Sequence, residues 1–140
     1  MIRIPRGVLE EIRARGAKAY PEECCGALVG QTTERGEKTV LLTKHLENRH
    51  PGGRKRRYFV GPDAYREAES WARRHGLDVV GIYHSHPDHS ARPSEYDREH
   101  AWPWYSYLIL SVERGTPAGL ASWVLRDDRN RFDPEELECT

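Results

Sequence analysis

Two histidines follow directly on a hydrophobic stretch, and an aspartate comes eleven residues after the second of them. Residues 78–83 read Asp-Val-Val-Gly-Ile-Tyr, which predicts a buried strand that continues into His84-Ser85-His86. Alternate residues of a strand lie on one face of its sheet, so His84 and His86 are expected side by side. Asp97 joins them if the intervening loop folds back. Three such ligands leave one tetrahedral position free, which is typical of a catalytic zinc site.

The region around Asp97 also has an ordinary structural interpretation. Ser94-x-x-Asp97 matches the capping box at the start of a helix, and His-x-His at the end of a strand also occurs by chance. The two interpretations are compatible, because the cap would hold Ser94 and Asp97 on one helical turn that faces the histidines. The sequence therefore predicts a short helix from Ser94 with a metal site at its first turn.

Composition narrows the class of protein. The chain has 140 residues, with 22 basic and 22 acidic side chains, so no net charge favours nucleic acid or an anionic membrane. It contains no apolar run of membrane-spanning length, and its first residues lack the apolar core of a signal peptide. Three cysteines, two of them adjacent, imply no disulfide framework. A cytoplasmic enzyme is expected.

Hydrophobic periodicity predicts an α/β fold, with a mixed sheet flanked by helices in a single domain over residues 1–140. Helical spacing after Pro5 ends at Tyr20-Pro21, and a second helix opens at Pro62 and ends before Gly76. Residues 48–57 predict a basic, Gly-rich loop. Strands are predicted at residues 26–30, 38–46, 58–60, 78–83, 106–112, 119–126 and 136–140.

A second motif lies early in the chain, where residues 21–30 read Pro-Glu-Glu-Cys-Cys-Gly-Ala-Leu-Val-Gly. Glu-x-Cys-Gly-x-Leu-x-Gly, followed later by His-Ser-His-Pro, six residues and Ser-x-x-Asp, resembles the JAMM motif of the MPN (Mov34/PAD-1) metalloproteases. The resemblance extends to the first helix, to residues 58–63 and to residues 102–112. It implies the MPN-type α/β fold, which is related in layout to cytidine-deaminase-like sheets.

The resemblance also implies a role for each matching residue. His84, His86 and Asp97 would hold Zn²⁺, with water as the fourth ligand, because Zn²⁺ lowers the pKa of bound water to about 7. Glu23 would take a proton from that water and pass it to the leaving amine. Ser94 would donate a hydrogen bond to the oxyanion, an interaction worth about 3 kcal/mol.

Residues next to Glu23 offer rival assignments. Glu22 is an alternative general base, although neighbours in an extended segment point to opposite sides. The motif places the base three residues before the glycine, which favours Glu23. Cys24 and Cys25 are alternative zinc ligands, since thiolates bind zinc well. Their simpler interpretation is that one is a small buried side chain at the start of a strand.

A different metal site is also open. His84-x-His86-x-Asp88-His89 matches the two-metal signature of metallo-β-lactamase-type hydrolases, but that fold needs further histidines downstream, where only His100 follows. A zinc deaminase requires His-x-Glu and Pro-Cys-x-x-Cys, and neither is present.

The expected activity is zinc-dependent hydrolysis of a peptide or isopeptide bond. Short members of the family that this chain resembles act at the C-terminal Gly-Gly tail of ubiquitin-like sulfur-carrier proteins, so such a protein is the expected partner. The alternative is a non-catalytic MPN scaffold, although scaffolds typically lack site residues that are all present here. The aromatic residues Trp102, Trp104, Tyr105 and Tyr107 are interpreted as core packing, with a wall beside the cleft for a substrate tail as the alternative. The basic residues at 54–57 are interpreted as a solvated loop, with contact to an acidic face of a protein substrate as the alternative.

Overall fold

The computed structural model describes residues 1–48, 50–52 and 57–140. Three helices alternate with strands in these ranges. The helices are α1 (Arg6–Ala19), α2 (Pro62–Arg74) and α3 (Glu95–His100). The strands are β1 (Ile2–Ile4), β2 (Cys25–Thr32), β3 (Lys38–Leu46), β4 (Asp78–Pro87), β5 (Ser106–Glu113), β6 (Thr116–Leu125), β7 (Phe132–Glu135) and β8 (Leu137–Cys139).

The strands form one mixed sheet in the order β7-β6-β5-β4-β2-β3-β1-β8. β4 lies near the middle, antiparallel to β2 and parallel to β5, and its register places His84 opposite Cys25 on one side and Ile109 on the other. β1 runs parallel to both β3 and β8. A central strand is paired along both edges, so the two histidines of β4 stand on a rigid part of the sheet.

Each face of the sheet is covered by a helix. α1 packs over one face through its buried residues Leu9, Ile12 and Gly16. Gly16 lets this helix approach closely, because a Cβ atom there would lie 2.6 Å from Cδ2 of Leu110. α2 covers the other face with Ala68, which belongs to a second core cluster. The two layers of core side chains account for the nearly continuous burial along the central strands β2, β4 and β5.

The glycine at position 26 of the early motif is required because the ring of Tyr83 on the neighbouring strand lies close against it. A Cβ atom at this position would lie 2.2 Å from the ring of Tyr83, the residue that pairs with Gly26 on β4. The tyrosine ring lies flat over the glycine on the face covered by α1. Any larger residue here would displace Tyr83, and with it the strand that carries the histidines.

The structure confirms the predicted α/β class and most of the predicted elements. The prediction of a strand at residues 58–60 was wrong: this segment joins no sheet, and the Phe59 amide donates to the side chain of Asn48 instead. β1 and β7 were not predicted, because each is short and β7 contains Pro134, which obscures a strand pattern. Half of the predicted loop at residues 48–57, namely residue 49 and residues 53–56, lies outside the described residues.

None of the helices that the structure describes is long and apolar enough to cross a membrane.

Candidate metal centre

Three separate segments bring the candidate site residues together. β4 presents His84 and His86 on the face that also carries Ile82, as strand alternation predicts. Asp97 lies on the first turn of α3, and Glu23 directly precedes β2. The side chains of all four residues are buried or nearly so, with exposed fractions of 8 % or less. The structure therefore brings together four residues that the sequence singled out for the site.

The ligand atoms predicted for the metal form a compact triangle. Nε2 of His84 lies 3.1 Å from Nε2 of His86, and Oδ2 of Asp97 lies 3.3 Å and 3.2 Å from these two nitrogens. A tetrahedral zinc ion with bonds of about 2.0–2.1 Å separates its ligands by roughly 3.3 Å. The three atoms are thus spaced as the ligands of one tetrahedral ion, so these residues fit zinc.

A capping box fixes Asp97 in this triangle. The backbone N–H of Ser94 donates to Oδ2 of Asp97 (2.8 Å), and the Asp97 N–H donates to Oγ of Ser94 (3.1 Å). Burial opposes ionisation of Asp97, but the two histidines and the Ser94 amide together hold its carboxyl pKa well below the usual range. The capping box predicted from the sequence is therefore present, and it helps to hold the Asp97 carboxyl in the charged form that a metal ligand requires.

The two imidazole rings are held by different neighbours. Nδ1 of His86 lies 2.8 Å from the Ser90 carbonyl oxygen, so Nδ1 carries the proton and Nε2 presents its lone pair to the metal position. Tyr58 stacks on the His84 ring with centroids 4.3 Å apart. Burial lowers the pKa of His84, which favours the neutral form that binds metal.

Glu23 is a second buried acid beside the two histidines. One of its carboxylate oxygens and one ring nitrogen from each of His84 and His86 lie within 4.8 Å of one another. Burial raises the pKa of Glu23 to about 8, although nearby His86 acts in the opposite direction. Glu22, the rival, is half-buried and does not belong to this group. A carboxyl group with this pKa exchanges protons near neutral pH, as a general acid–base requires.

Ser94 lies at the rim of the site. It is the N-cap of α3, and its exposed side chain accepts the Asp97 amide through Oγ. The hydroxyl proton is not needed for that bond, so it is free to be donated to a substrate.

The cysteines are structural. The Cys24 backbone N–H donates to Oγ of Ser85, and Sγ of Cys25 lies 3.6 Å from the Leu46 carbonyl oxygen. Burial raises the pKa of Cys25 to about 12, which disfavours the thiolate that would bind a metal. Neither residue belongs to the His84, His86 and Glu23 group found among the described residues.

The two-metal alternative is not assembled. Asp88 is exposed, and its carboxylate accepts the Tyr20 hydroxyl at 2.7 Å and the Arg114 N–H at 2.8 Å. His89 is also exposed, and its carbonyl oxygen accepts from Ser111. Within the described part of the chain, neither side chain joins the histidine group. Asp88 and His89 instead shape the loop that follows β4.

Sequence reasoning missed two features next to the site. Tyr58 was assigned to a strand rather than to a ring stacked on His84. The aromatic residues after α3 were interpreted as core, but Trp102 and Trp104 are 44 % and 63 % exposed, whereas Tyr105 and Tyr107 are buried. The two indoles, Tyr58 and Phe59 line a cavity of about 590 Å³. The Trp-Pro-Trp sequence, with a proline that interrupts regular structure, was the available signal for an irregular exposed segment.

Known proteins resemble this chain in sequence. A family model described as prokaryotic homologs of the JAB domain matches residues 5–126. A desampylase from Haloferax volcanii is 36 % identical over 107 residues, which cover 76 % of this chain and 74 % of the relative. A probable TtuB-protein conjugate cleaving protease from Thermus thermophilus is 34 % identical over 110 residues, covering 79 % and 70 %.

Solved structures resemble it as well. A protein from Salinibacter ruber is 44 % identical with a TM-score of 0.77, covering 99 % of this chain and 91 % of its own. A JAB1/MPN domain protein from Archaeoglobus fulgidus is 22 % identical with a TM-score of 0.62, covering 99 % and 98 %. The second likeness bears on the fold alone.

Proposed function

Because the chain belongs to the JAMM/MPN family, as one of the prokaryotic homologs of the JAB domain, we propose that it is a metallopeptidase acting on a ubiquitin-like protein. It hydrolyses the peptide or isopeptide bond that follows the C-terminal Gly-Gly of that protein. In this proposed role, residues 1–140 form one catalytic domain that works in the cytoplasm.

One observation carries the proposal: a three-ligand metal triangle with a buried acid beside it. The ligand atoms of His84, His86 and Asp97 are 3.1–3.3 Å apart, and Glu23 lies within 4.8 Å of the histidine nitrogens. Three protein ligands leave one position for water or substrate, which is the arrangement of a catalytic zinc site. A non-catalytic scaffold has no need of such a group, so the geometry favours the enzyme.

We assign the metal as zinc, held by Nε2 of His84, Nε2 of His86 and Oδ2 of Asp97. Zinc supplies Lewis-acid chemistry, since it lowers the pKa of water to about 7 and polarises a carbonyl group. The chain's own contribution is to keep His84 neutral and the aspartate ionised at neutral pH. Burial of His84 and the capping box around Asp97 serve these two requirements.

Glu23 moves the proton in the proposed reaction. Its carboxylate accepts a proton from the attacking water and then delivers it to the nitrogen of the leaving amine. Its raised pKa of about 8 suits both halves of this transfer, because the protonated and ionised forms are both populated near neutral pH. Burial is the main cause of this raised pKa, so the exclusion of water from the Glu23 side chain contributes to its proposed role.

Ser94 stabilises the oxygen of the scissile carbonyl. Its Oγ is fixed by the Asp97 amide on the same turn that places Asp97 against the histidines. The hydroxyl group is therefore held on the same helical turn as the proposed metal ligand Asp97. A donor fixed in advance costs no reorganisation when charge develops on the oxygen.

The surroundings of the site favour a protein substrate. Trp102, Trp104 and Phe59 are three of the four large apolar residues that are exposed among those the structure describes, and all three line the same cavity. Tyr58 also lines it and stacks on His84, so the cavity adjoins the site. Clustered exposed aromatic residues of this kind mark protein-binding surfaces. The names of the two sequence relatives, a desampylase and a TtuB-protein conjugate cleaving protease, agree with this class of substrate.

The experiment that tests the proposal uses a ubiquitin-like carrier protein with a few residues added after its Gly-Gly end. Elemental analysis of the purified protein is expected to give one zinc per chain, and mass spectrometry to show cleavage after the second glycine. A chelator is expected to abolish cleavage, and added zinc to restore it. A fully zinc-loaded protein that leaves both this fusion and an isopeptide-linked conjugate intact would refute the proposal.

The role of the aromatic cavity is tested by substrate size. Trp104→Ala is expected to raise KM for the carrier fusion by about tenfold or more, as loss of a binding hot spot does, with little change for a short Gly-Gly-containing peptide. Leu41→Ala is the matched control, because Leu41 is similarly exposed but does not line the cavity. An equal effect of Trp104→Ala on both substrates would contradict a docking role.

A further inference from the structure

A buried amide lies behind the candidate site and uses every hydrogen-bonding position it has. Nδ2 of Asn48 donates to the Glu23 carbonyl oxygen at 3.0 Å and to the Arg57 carbonyl oxygen at 2.9 Å. Its Oδ1 accepts the backbone N–H groups of His50 and Phe59 at 3.1 Å and 3.2 Å. An asparagine side chain offers two donor hydrogens and two acceptor lone pairs, so this one is fully satisfied.

Three of the four partners of Asn48 belong to two segments that meet at the site. One is Glu23, whose carboxylate faces the histidines. The other is residues 57–59, whose central residue, Tyr58, stacks on the ring of His84. The amide therefore links the backbone of the proposed general base to the backbone that holds the stacking ring. Both links go to main-chain atoms, which do not shift when side chains change rotamer.

We propose that Asn48 is a positioning residue that sets the separation between the Glu23 carboxylate and the imidazole of His84. This rests on the proposed function for its kinetic consequences, but the geometric claim stands on the contacts of Asn48 alone. Asn48 contacts no ligand atom of the metal triangle, so it acts through the backbone of Glu23 and through the backbone on either side of Tyr58.

The residue type follows from the partners. Two carbonyl oxygens and two N–H groups require a side chain that donates twice and accepts twice within one planar group. Aspartate has nearly the same shape but directs a carboxylate oxygen at both carbonyl groups, where neither bond can form. Replacement by aspartate therefore removes the two links to Glu23 and Arg57 while it retains acceptors for His50 and Phe59.

The test compares Asn48→Asp with Ser122→Ala in the full-length, zinc-loaded protein. Ser122 is a buried residue on β6 whose Oγ donates to Glu135, so its loss removes a side-chain hydrogen bond from another part of the sheet. For Asn48→Asp, kcat for the carrier fusion is expected to fall by about 10–100-fold, since small misplacement of a catalytic group has effects of this size. KM and the zinc content are expected to stay within about twofold of the wild-type values. Ser122→Ala is expected to keep kcat within twofold.

A second measurement needs no activity and no metal. In the metal-free protein, the ring current of Tyr58 shifts the NMR signals of the His84 imidazole protons, because the two rings are stacked. Asn48→Asp is expected to move these signals toward their positions in Tyr58→Leu, whereas Ser122→Ala leaves them in place. If Asn48→Asp does not accumulate as folded protein, Asn48→Ser, which keeps one short polar group, carries the same measurements.

The outcomes separate positioning from simple stabilisation. A lower melting temperature with kcat and the His84 signals unchanged would overturn the proposal, as would a fall in kcat explained entirely by loss of zinc. If the wild-type protein cleaves no carrier fusion, the proposed function fails, and the His84 signals alone then decide whether Asn48 positions the ring.

Discussion

Adjacent residues of β4 point to opposite faces of the sheet, and one face carries the candidate metal centre while the other belongs to the apolar core. The face covered by α2 carries Ile82, His84 and His86, and polar groups of the candidate metal centre are buried there among apolar residues. The opposite face carries Tyr83, packed in the apolar core beneath α1. Tyr83 has a buried hydroxyl for which the described residues offer no hydrogen-bond partner.

The difference between the two faces shows how one strand can contribute to both the stability of the fold and the chemistry of the site. On the α1 face, side chains are selected for volume and shape, because removal of apolar surface from water is the main gain there. On the α2 face, Nε2 of each buried histidine lies within hydrogen-bond distance of Asp97, and the three residues are spaced to share a cation. Substitutions on one face should therefore change metal content and rate, and those on the other should change the free energy of unfolding.

The largest expected effect is that of His84→Ala on the site face. Loss of one of three ligands should reduce zinc content from one per chain to near zero and bring cleavage below detection, because the remaining pair cannot form the tetrahedral site. Zinc is measured by elemental analysis after dialysis. Tyr83→Phe is the control on the opposite face and should keep both zinc and rate, since it removes a hydroxyl with no partner among the described residues. Zinc binding by His84→Ala at wild-type affinity would contradict the assignment of ligands.

The next effect separates the acid from the ligands on the same face. Glu23→Gln should lower kcat by about 10²–10⁴-fold, because the amide cannot carry the proton, and should leave one zinc bound. Glu22→Gln is the adjacent control and should remain within a few-fold of wild type, since Glu22 lies outside the histidine group. Equal losses for the two variants in steady-state assays would show that Glu23 has no special role.

The parts of the site that the sequence predicted are those fixed by local geometry. Strand alternation places His84 beside His86, and a capping box spans only three residues, so both follow from short-range rules. The stack of Tyr58 on His84 and the bonds of Asn48 could not be predicted in this way. They depend on where residues 57–60 cross the fold. The apolar run at residues 58–60 predicted a strand, whereas Tyr58 and Val60 are buried there without strand pairing.

The same reasoning explains the errors at the edges of the fold. β1 and β7 have only 3 and 4 residues, too few for a periodic pattern to exceed chance. Trp102 and Trp104 are large and apolar, which favours burial on average, yet the segment after α3 leaves them on the surface. Composition gives the preference of a residue for burial, whereas the path of an irregular segment decides whether that preference is met.

A change on the α1 face should affect stability alone. Leu110 is 1 % exposed beneath α1, so Leu110→Ala should lower the free energy of unfolding by about 2–5 kcal/mol through lost burial and a cavity. Well below the unfolding transition, zinc content and kcat should match those of the wild type. Urea denaturation gives the first quantity, and assays of the folded fraction give the second. A large fall in kcat for the folded protein would mean that the two faces are mechanically coupled, and the contrast between them would fail.

The smallest expected effect concerns the pH dependence of stability in the metal-free protein. Burial raises the pKa of Glu23 to about 8, whereas an unfolded glutamate titrates near 4.5. Between these values the folded state binds more protons than the unfolded state, so the free energy of unfolding falls as pH rises. Glu23→Gln removes this proton uptake, and it should therefore gain stability relative to wild type from pH 5 to pH 8, on the order of 1–3 kcal/mol. Urea titrations at the two pH values measure the difference. Leu110→Ala is the control and should show the pH dependence of the wild type, because it keeps Glu23 and changes only the α1 face of the sheet. Parallel curves of unfolding free energy against pH for the wild type and Glu23→Gln would show that the Glu23 carboxyl is solvated rather than buried beside the histidines.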